Sequence, residues 1–229
     1  METLEDRIWD RLPKAWLAWG LLGLLVVVYV YVSGLQRLLW GPSQPALLKW
    51  GAVSARHIDN GELWRLSSSL ILHGGLLHLL LNGLALLALC RMGEAIFGSL
   101  STLGILYLSG WVGAFFSWSV GSPNTVGASG AIFGLLSALS IFGWKYRSEL
   151  SGELGETLRK KLGLFGLLNL FIGLWIPMID NPSHFGGCAT GIILGLFLGH
   201  REEKGQKIVV FFWGSIFLFG ILITFHRYF

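Results

Sequence analysis

Apolar residues in this chain do not alternate with polar ones; they run together in long blocks. Seven blocks are almost free of charge, at about 15–36, 67–90, 97–118, 126–144, 162–179, 183–200 and 208–225. A helix needs about 20 such residues to cross the roughly 30 Å hydrocarbon core of a bilayer. The pattern therefore predicts an all-α polytopic membrane protein, one domain over residues 1–229, with seven spans. The first block is too long for a signal-peptide core and is followed by no convincing small-x-small cleavage site, so it is expected to remain as a span.

Two connections stand out. Residues 37–66 mix Gly41, Pro42 and Pro45 with Trp50, His57 and Trp64. That segment is too apolar for a free linker and is expected to lie partly embedded at the outer surface, as functional loops of this length often are. Residues 145–161 are charged and contain Ser and Gly, which reads as a solvated cytoplasmic hairpin.

Composition agrees with the pattern. Hydrophobic residues make up 53% and charged residues 13%, against about 25% charged in soluble domains. The net charge of +4 would fit nucleic acid, but its distribution does not. With the N-terminus in the cytoplasm, Arg7, Arg11, Lys14, Arg91, Lys145, Arg147, Arg159, Lys160, Lys161, Arg201, Lys204 and Lys207 fall inside. Arg37, Lys49, Arg56, Arg65 and Arg227 fall outside, and most of these belong to the one long loop. The basic residues set topology, and no nucleic acid is implied. Cys90 and Cys188 lie in apolar blocks, where a disulfide framework is not indicated. Many of the 11 tryptophans sit near span ends, the preferred depth of an amphipathic indole.

Glycine changes the picture more. Gly187, Gly191, Gly195 and Gly199 recur every fourth residue along the sixth block, and Gly127, Gly130 and Gly134 line the fourth. Small residues at this spacing let helix backbones approach closely in lipid. Such an approach would bring Ser129 within hydrogen-bond reach of His184.

With an internal N-terminus, the second, fourth and sixth spans all begin on the outer side. Ser129 lies near the start of the fourth and His184 near the start of the sixth, at similar depth. In the second, His78 and Asn82 share a helical face, and Gly74-Gly75 would delay the regular helix so that His78 reaches the same level. Polar groups inside a membrane are costly and usually functional. Serine becomes nucleophilic when a base takes its proton, so Ser129 and His184 are the candidate nucleophile and base. Asn82, His78 and the Ser129 backbone N–H are candidate oxyanion donors. No carboxylate is placed to orient His184; Asp180 is read as part of the outer loop. Phe133, one turn below Ser129, offers the imidazole a stacking face. His73 is expected to shape the loop entry, and His200 and His226 to be solvated at span ends. Glu94, near Arg91, reads as structural.

These residues resemble the rhomboid family of intramembrane serine proteases. The matches run in order: Trp64-Arg65, His73-x4-His78-x3-Asn82, Glu94-x3-Gly98, Gly127-x-Ser129-Gly130 with Phe133-Gly134, and His184-x2-Gly187-x3-Gly191. The resemblance implies a six-helix core at about 15–200 with an extra C-terminal helix at about 208–225 ending outside. It implies an endopeptidase that cuts single-span transmembrane substrates near their outer ends by a Ser-His dyad, without cofactor or metal. It also implies an embedded first loop at 37–66, a lateral gate in the fifth span bearing Phe165, Phe171 and Trp175, and a cap at 177–183. A metal enzyme would need a ligand set such as H-E-x-x-H, which is absent from the sequence. A non-catalytic binder or chaperone of transmembrane segments is the alternative; its mark would be loss of Ser129 or His184, and both are present.

Overall fold

The structure, a computed structural model, describes residues 2–122, 124–176 and 178–200. The seventh predicted span and His226 lie outside the described residues. Helix α1 (Leu4–Arg11) opens with a capping box, in which the Thr3 hydroxyl accepts the Asp6 N–H and the Asp6 carboxylate accepts the Thr3 N–H. The Thr3 hydroxyl also donates to the Asp6 carboxylate, and this bond, with that from the Thr3 N–H, holds the Asp6 carboxyl below the usual carboxylate range. Helix α2 (Trp16–Ser33) has no cap of its own. Its orphan N–H groups at Leu17 and Ala18 donate instead to the buried carboxylate of Glu94, 3.1 and 3.0 Å away. Ser99 Oγ donates to the same carboxylate, so Glu94 ties three helices at one point.

The segment after α2 folds into short helices α3 (Gln44–Lys49), α4 (Ala55–Asp59) and α5 (Arg65–Ser68). The buried Arg65 organises it. Its guanidinium donates to the Leu48 and Ala52 carbonyls, pairs with Glu62 and lies over the Trp64 ring. Trp118 Nε1 donates to Asp59, fastening the loop to a later helix.

Helix α6 (Leu76–Phe97) starts nine residues later than the apolar block at 67–90 predicts. Residues 65–71 form α5 and a 3-10 turn, in which Leu66 is buried in protein and Leu70 and Ile71 are partly buried. The cause is Gly74-Gly75, against which Gly41 packs at φ +87; a Cβ on Gly41 would stand 2.6 Å from the Gly74 carbonyl oxygen. Gly98 at φ +83 then reverses the chain in one residue into α7 (Ser99–Ser119).

Helix α8 is Ser129–Lys145. The segment 145–161 is not a solvated hairpin. It forms α9 (Glu153–Glu156) and a π turn (Thr157–Lys161) running directly into α10 (Leu162–Gly173). Leu150, Leu154 and Leu158 are fully buried in the cluster that holds Ile8, and Glu5 accepts the Gly152 and Leu154 N–H groups. The charges hid an apolar stripe at helical spacing. Helix α11 runs Asn181–Phe197. Gly199 therefore falls past its end, and residues 181–183 of the expected cap are its first turn. His200 is buried, not solvated, with Arg11 Nη1 3.1 Å from its Nε2.

The architecture is all-α; among the described residues the nearest thing to a sheet is one isolated bridge, Val53 with Thr125. Helix α11 is central, packed on α8 and α7, which also pack on each other. Helix α2 lies on α6, and α10 on α8. Three of the helices, α2, α6 and α7, are long and apolar enough to cross a membrane. Polarity is inverted on α6, where Leu77, Leu81 and Leu84 are exposed while Asn82 and Glu94 are buried. A surface of that kind suits lipid.

Candidate active site

The fit of α11 against α8 and α7 begins with glycine. A Cβ on Gly187 would strike the Gly130 carbonyl, and one on Gly191 the Gly134 carbonyl; Gly195 meets Ala138. One turn nearer the start of α11, Ser183 nests between two more glycines. Its carbonyl oxygen is 2.6 Å from where a Gly113 Cβ would stand, and its Oγ 2.7 Å from that of Gly130. Ser183 and Gly130 are the chain neighbours of His184 and Ser129, so this contact brings together the N-terminal ends of α11 and α8 that carry them.

Ser129 is the first residue of α8 and is half-buried. Phe133, four residues on and on the same face, stacks its ring on the His184 imidazole with centroids 4.2 Å apart and planes 17° from parallel. His184 is buried, and its Nδ1 has no hydrogen-bond partner. Among the described residues no hydrogen bond joins Ser129 to His184 and no carboxylate bonds the imidazole. Nucleophile–base contacts are often loose before substrate binds. Packing on Phe133, rather than a carboxylate, orients the ring.

His78 enters from the first turn of α6. Its ring lies against Gly127, where a Cβ would stand 2.8 Å from both Cε1 and Nε2. Gly127 holds φ +129, a conformation that favours glycine, two residues before Ser129. Asn82, buried one turn below, donates from Nδ2 to the His78 carbonyl, which leaves its second amide proton free of that bond. His73 meets His78 edge to face at 5.1 Å, its two ring nitrogens buried without partners. The Phe133–His184 stack, the contact of His78 with Gly127 and the Asn82–His78 hydrogen bond thus link these residues to the two ends of the segment 127–133. Trp64, Arg65, Glu94 and Gly98 do not belong to this group; they shape the first loop and the α2–α6–α7 junction.

Sequence reasoning missed a second polar group beside these residues. Asp180 is the N-cap of α11, its carboxylate accepting the Ser183 N–H at 3.3 Å. Ser117 of α7 donates to the same carboxylate and contacts the Thr125 hydroxyl. The signal was present in Asp180-Asn181-Pro182, an N-cap aspartate followed by a proline in the first turn. Among the described residues no group of three or more His, Cys, Asp or Glu side chains is arranged to hold a metal ion. Cys90 and Cys188 are free thiols.

Known proteins are similar to this chain over most of its length. The Rhomboid domain family model matches residues 60–201. RHOMBOID-like protein 5 of Arabidopsis thaliana is 38% identical over 177 residues, covering 74% of this chain and 55% of the relative. Rhomboid protease GluP of Bacillus subtilis is 33% identical over 153 residues, 67% of this chain and 29% of the relative. The putative rhomboid protease YdcA of the same bacterium is 30% identical over 189 residues, 79% of this chain and 92% of its own length. The chain spans about half the length of the plant relatives it matches.

Proposed function

The chain belongs to the rhomboid family of integral membrane proteins, and from that premise we propose that it is an intramembrane serine endopeptidase acting on single-span transmembrane proteins. The observation that carries this reading is the stack of His184 on Phe133, one turn from Ser129, at the glycine-lined α8–α11 contact.

In this reading Ser129 Oγ attacks the scissile carbonyl carbon while His184 takes the hydroxyl proton. Charge develops on the carbonyl oxygen as it becomes tetrahedral. The Asn82 amide, a His78 N–H and the Ser129 backbone N–H, which is free at a helix N-terminus, are the proposed donors that stabilise it. His184 then gives its proton to the leaving amine. An acyl-enzyme remains on Ser129, and water hydrolyses it by the same proton relay.

The site opens toward the outer side, with the N-terminus cytoplasmic. A helical substrate shields its peptide bonds by internal hydrogen bonds, so substrates with small, helix-destabilising residues near the cut are favoured. They enter beside α10, where Phe165, Phe171 and, just past the helix end, Trp175 are exposed.

The test is cleavage of a single-span substrate by the full chain in detergent, comparing wild type with Ser129→Ala and His184→Ala. Cleavage by wild type alone supports the reading. Cleavage that survives Ser129→Ala overturns it, and no cleavage by the wild type across a panel of such substrates favours a protein that binds transmembrane segments without cutting them.

A further inference from the structure

The polar group beside the site joins the two segments that carry the dyad. Asp180 lies four residues before His184, and the His184 N–H donates to its carbonyl at 3.2 Å. Its carboxylate leaves the helix. Oδ1 accepts the Ser183 N–H at 3.3 Å, and the Ser122 hydroxyl reaches it at 3.5 Å. Oδ2 accepts the hydroxyl of Ser117, 2.5 Å away. Ser117 is fully buried in α7. Because its single proton goes to Asp180, it can only accept from Thr125, whose hydroxyl is 2.7 Å away. Thr125 is four residues before Ser129 in the segment that ends with Gly127. Its carbonyl in turn accepts the Val53 N–H of the first loop, at 2.9 Å.

A chain of three side chains therefore runs from the start of α11 through α7 to the strand-like approach to Ser129. Both ends lie outside regular helix: Asn124, at φ +34, immediately precedes Thr125, and residues 178–180 precede the first turn of α11. Hydrogen bonds to an ionised acceptor are about twice as strong as neutral ones. A clamp of this kind fixes the distance between two groups that must meet within about 3 Å.

Given the proteolytic reading above, on which it rests, we propose that Asp180, through Ser117 and Thr125, is a positioning residue that sets the approach of His184 to Ser129. Asp180 does not touch the imidazole in this structure and is not the third member of a triad. Loss of the clamp lowers turnover by misplacing the dyad, because small displacements of reacting groups are costly in rate. Substrate docking beside α10 is unchanged.

The test is steady-state cleavage of a single-span substrate by the full chain in detergent, with thermal unfolding measured on each variant. Four proteins are compared: wild type, Asp180→Ala, Asp180→Asn and Ser117→Ala. Asp180→Asn keeps an acceptor for the Ser183 N–H and a polar partner for Ser117; Asp180→Ala keeps neither. The expected result is a fall in kcat of about 10- to 100-fold for Asp180→Ala and about 10-fold for Ser117→Ala, with KM within about twofold. Asp180→Asn should recover most of the loss. A purely structural role would instead lower the unfolding temperature in step with activity, and that result overturns the proposal. So does an unchanged kcat in both alanine variants. If wild type itself cleaves nothing, the proteolytic reading falls first and the clamp falls with it.

Discussion

Helices α10 and α11 are consecutive in the chain, and both pack on α8, yet they do so in opposite ways. Helix α11 lays Gly187, Gly191 and Gly195 against the α8 backbone, so no side chain intervenes. Helix α10 puts Leu164, Phe165, Leu167, Leu168 and Phe171 on the surface and buries only Gly166 and Gly173. A Cβ on its Gly163 would meet nothing within 4 Å. Asn181 holds its far end by one hydrogen bond, from Nδ2 to the Leu170 carbonyl. In lipid, where the solvent is as apolar as the side chains, close backbone approach is what makes one helix pair tighter than another. The contrast puts the tighter packing beside the proposed nucleophile and base and the looser packing at the proposed substrate entry.

The sharpest way to break that contrast is to fill the tight contact. Gly191→Leu forces a side chain into the Gly134 carbonyl, and because backbone cannot yield as a side chain can, the cost should exceed the ~1–3 kcal/mol typical of overpacking. Thermal unfolding in detergent should show loss of the folded state, with cleavage lost alongside it. A folded, active Gly191→Leu protein would mean that the glycine contact is dispensable.

Next come the groups around Ser129. Asn82→Ala removes one proposed oxyanion donor and should lower kcat by about 10²–10³-fold while folding persists. A KM effect alone would assign Asn82 to substrate binding instead. Phe133→Ala unstacks His184. Such aromatic contacts contribute about 0.5–1.5 kcal/mol, so turnover should fall roughly 2- to 10-fold, and Phe133→Tyr should retain it. At the bottom of the scale, Gly163→Ala in α10 should cost no stability and may be read against Gly191→Leu in the same assay; alanine is favoured over glycine in a helix by up to about 1 kcal/mol. A large loss at Gly163 would show that α10 is held as tightly as α11.

Much of this contrast was legible in the sequence. The fourfold glycine spacing identified the α8–α11 contact, and block length identified α2, α6 and α7 as helices long and apolar enough to span. The boundaries failed where burial in protein imitates burial in lipid. Residues 66–72 carry no charge, as a span would, but Leu66, Leu70 and Leu72 pack with residues of the first loop, and only the Gly74-Gly75 break hinted at it. Leu150, Leu154 and Leu158 failed in the other direction, masked by the charges among them. Ser129, His184, His78 and Asn82 stood out because polar groups in apolar helices are rare. Asp180, Ser117 and Thr125 did not, because serines, threonines and an aspartate near helix ends are ordinary until tertiary contacts join them.

The central claim is that the α8–α11 contact makes Ser129 a nucleophile with His184 as its base. The most direct measurement is the intact mass of the full chain after incubation with a fluorophosphonate, with the site mapped by peptide sequencing. The account predicts a single adduct on Ser129 in the wild type and none in His184→Ala. An adduct that forms equally fast without His184, or that forms on another residue, would contradict it.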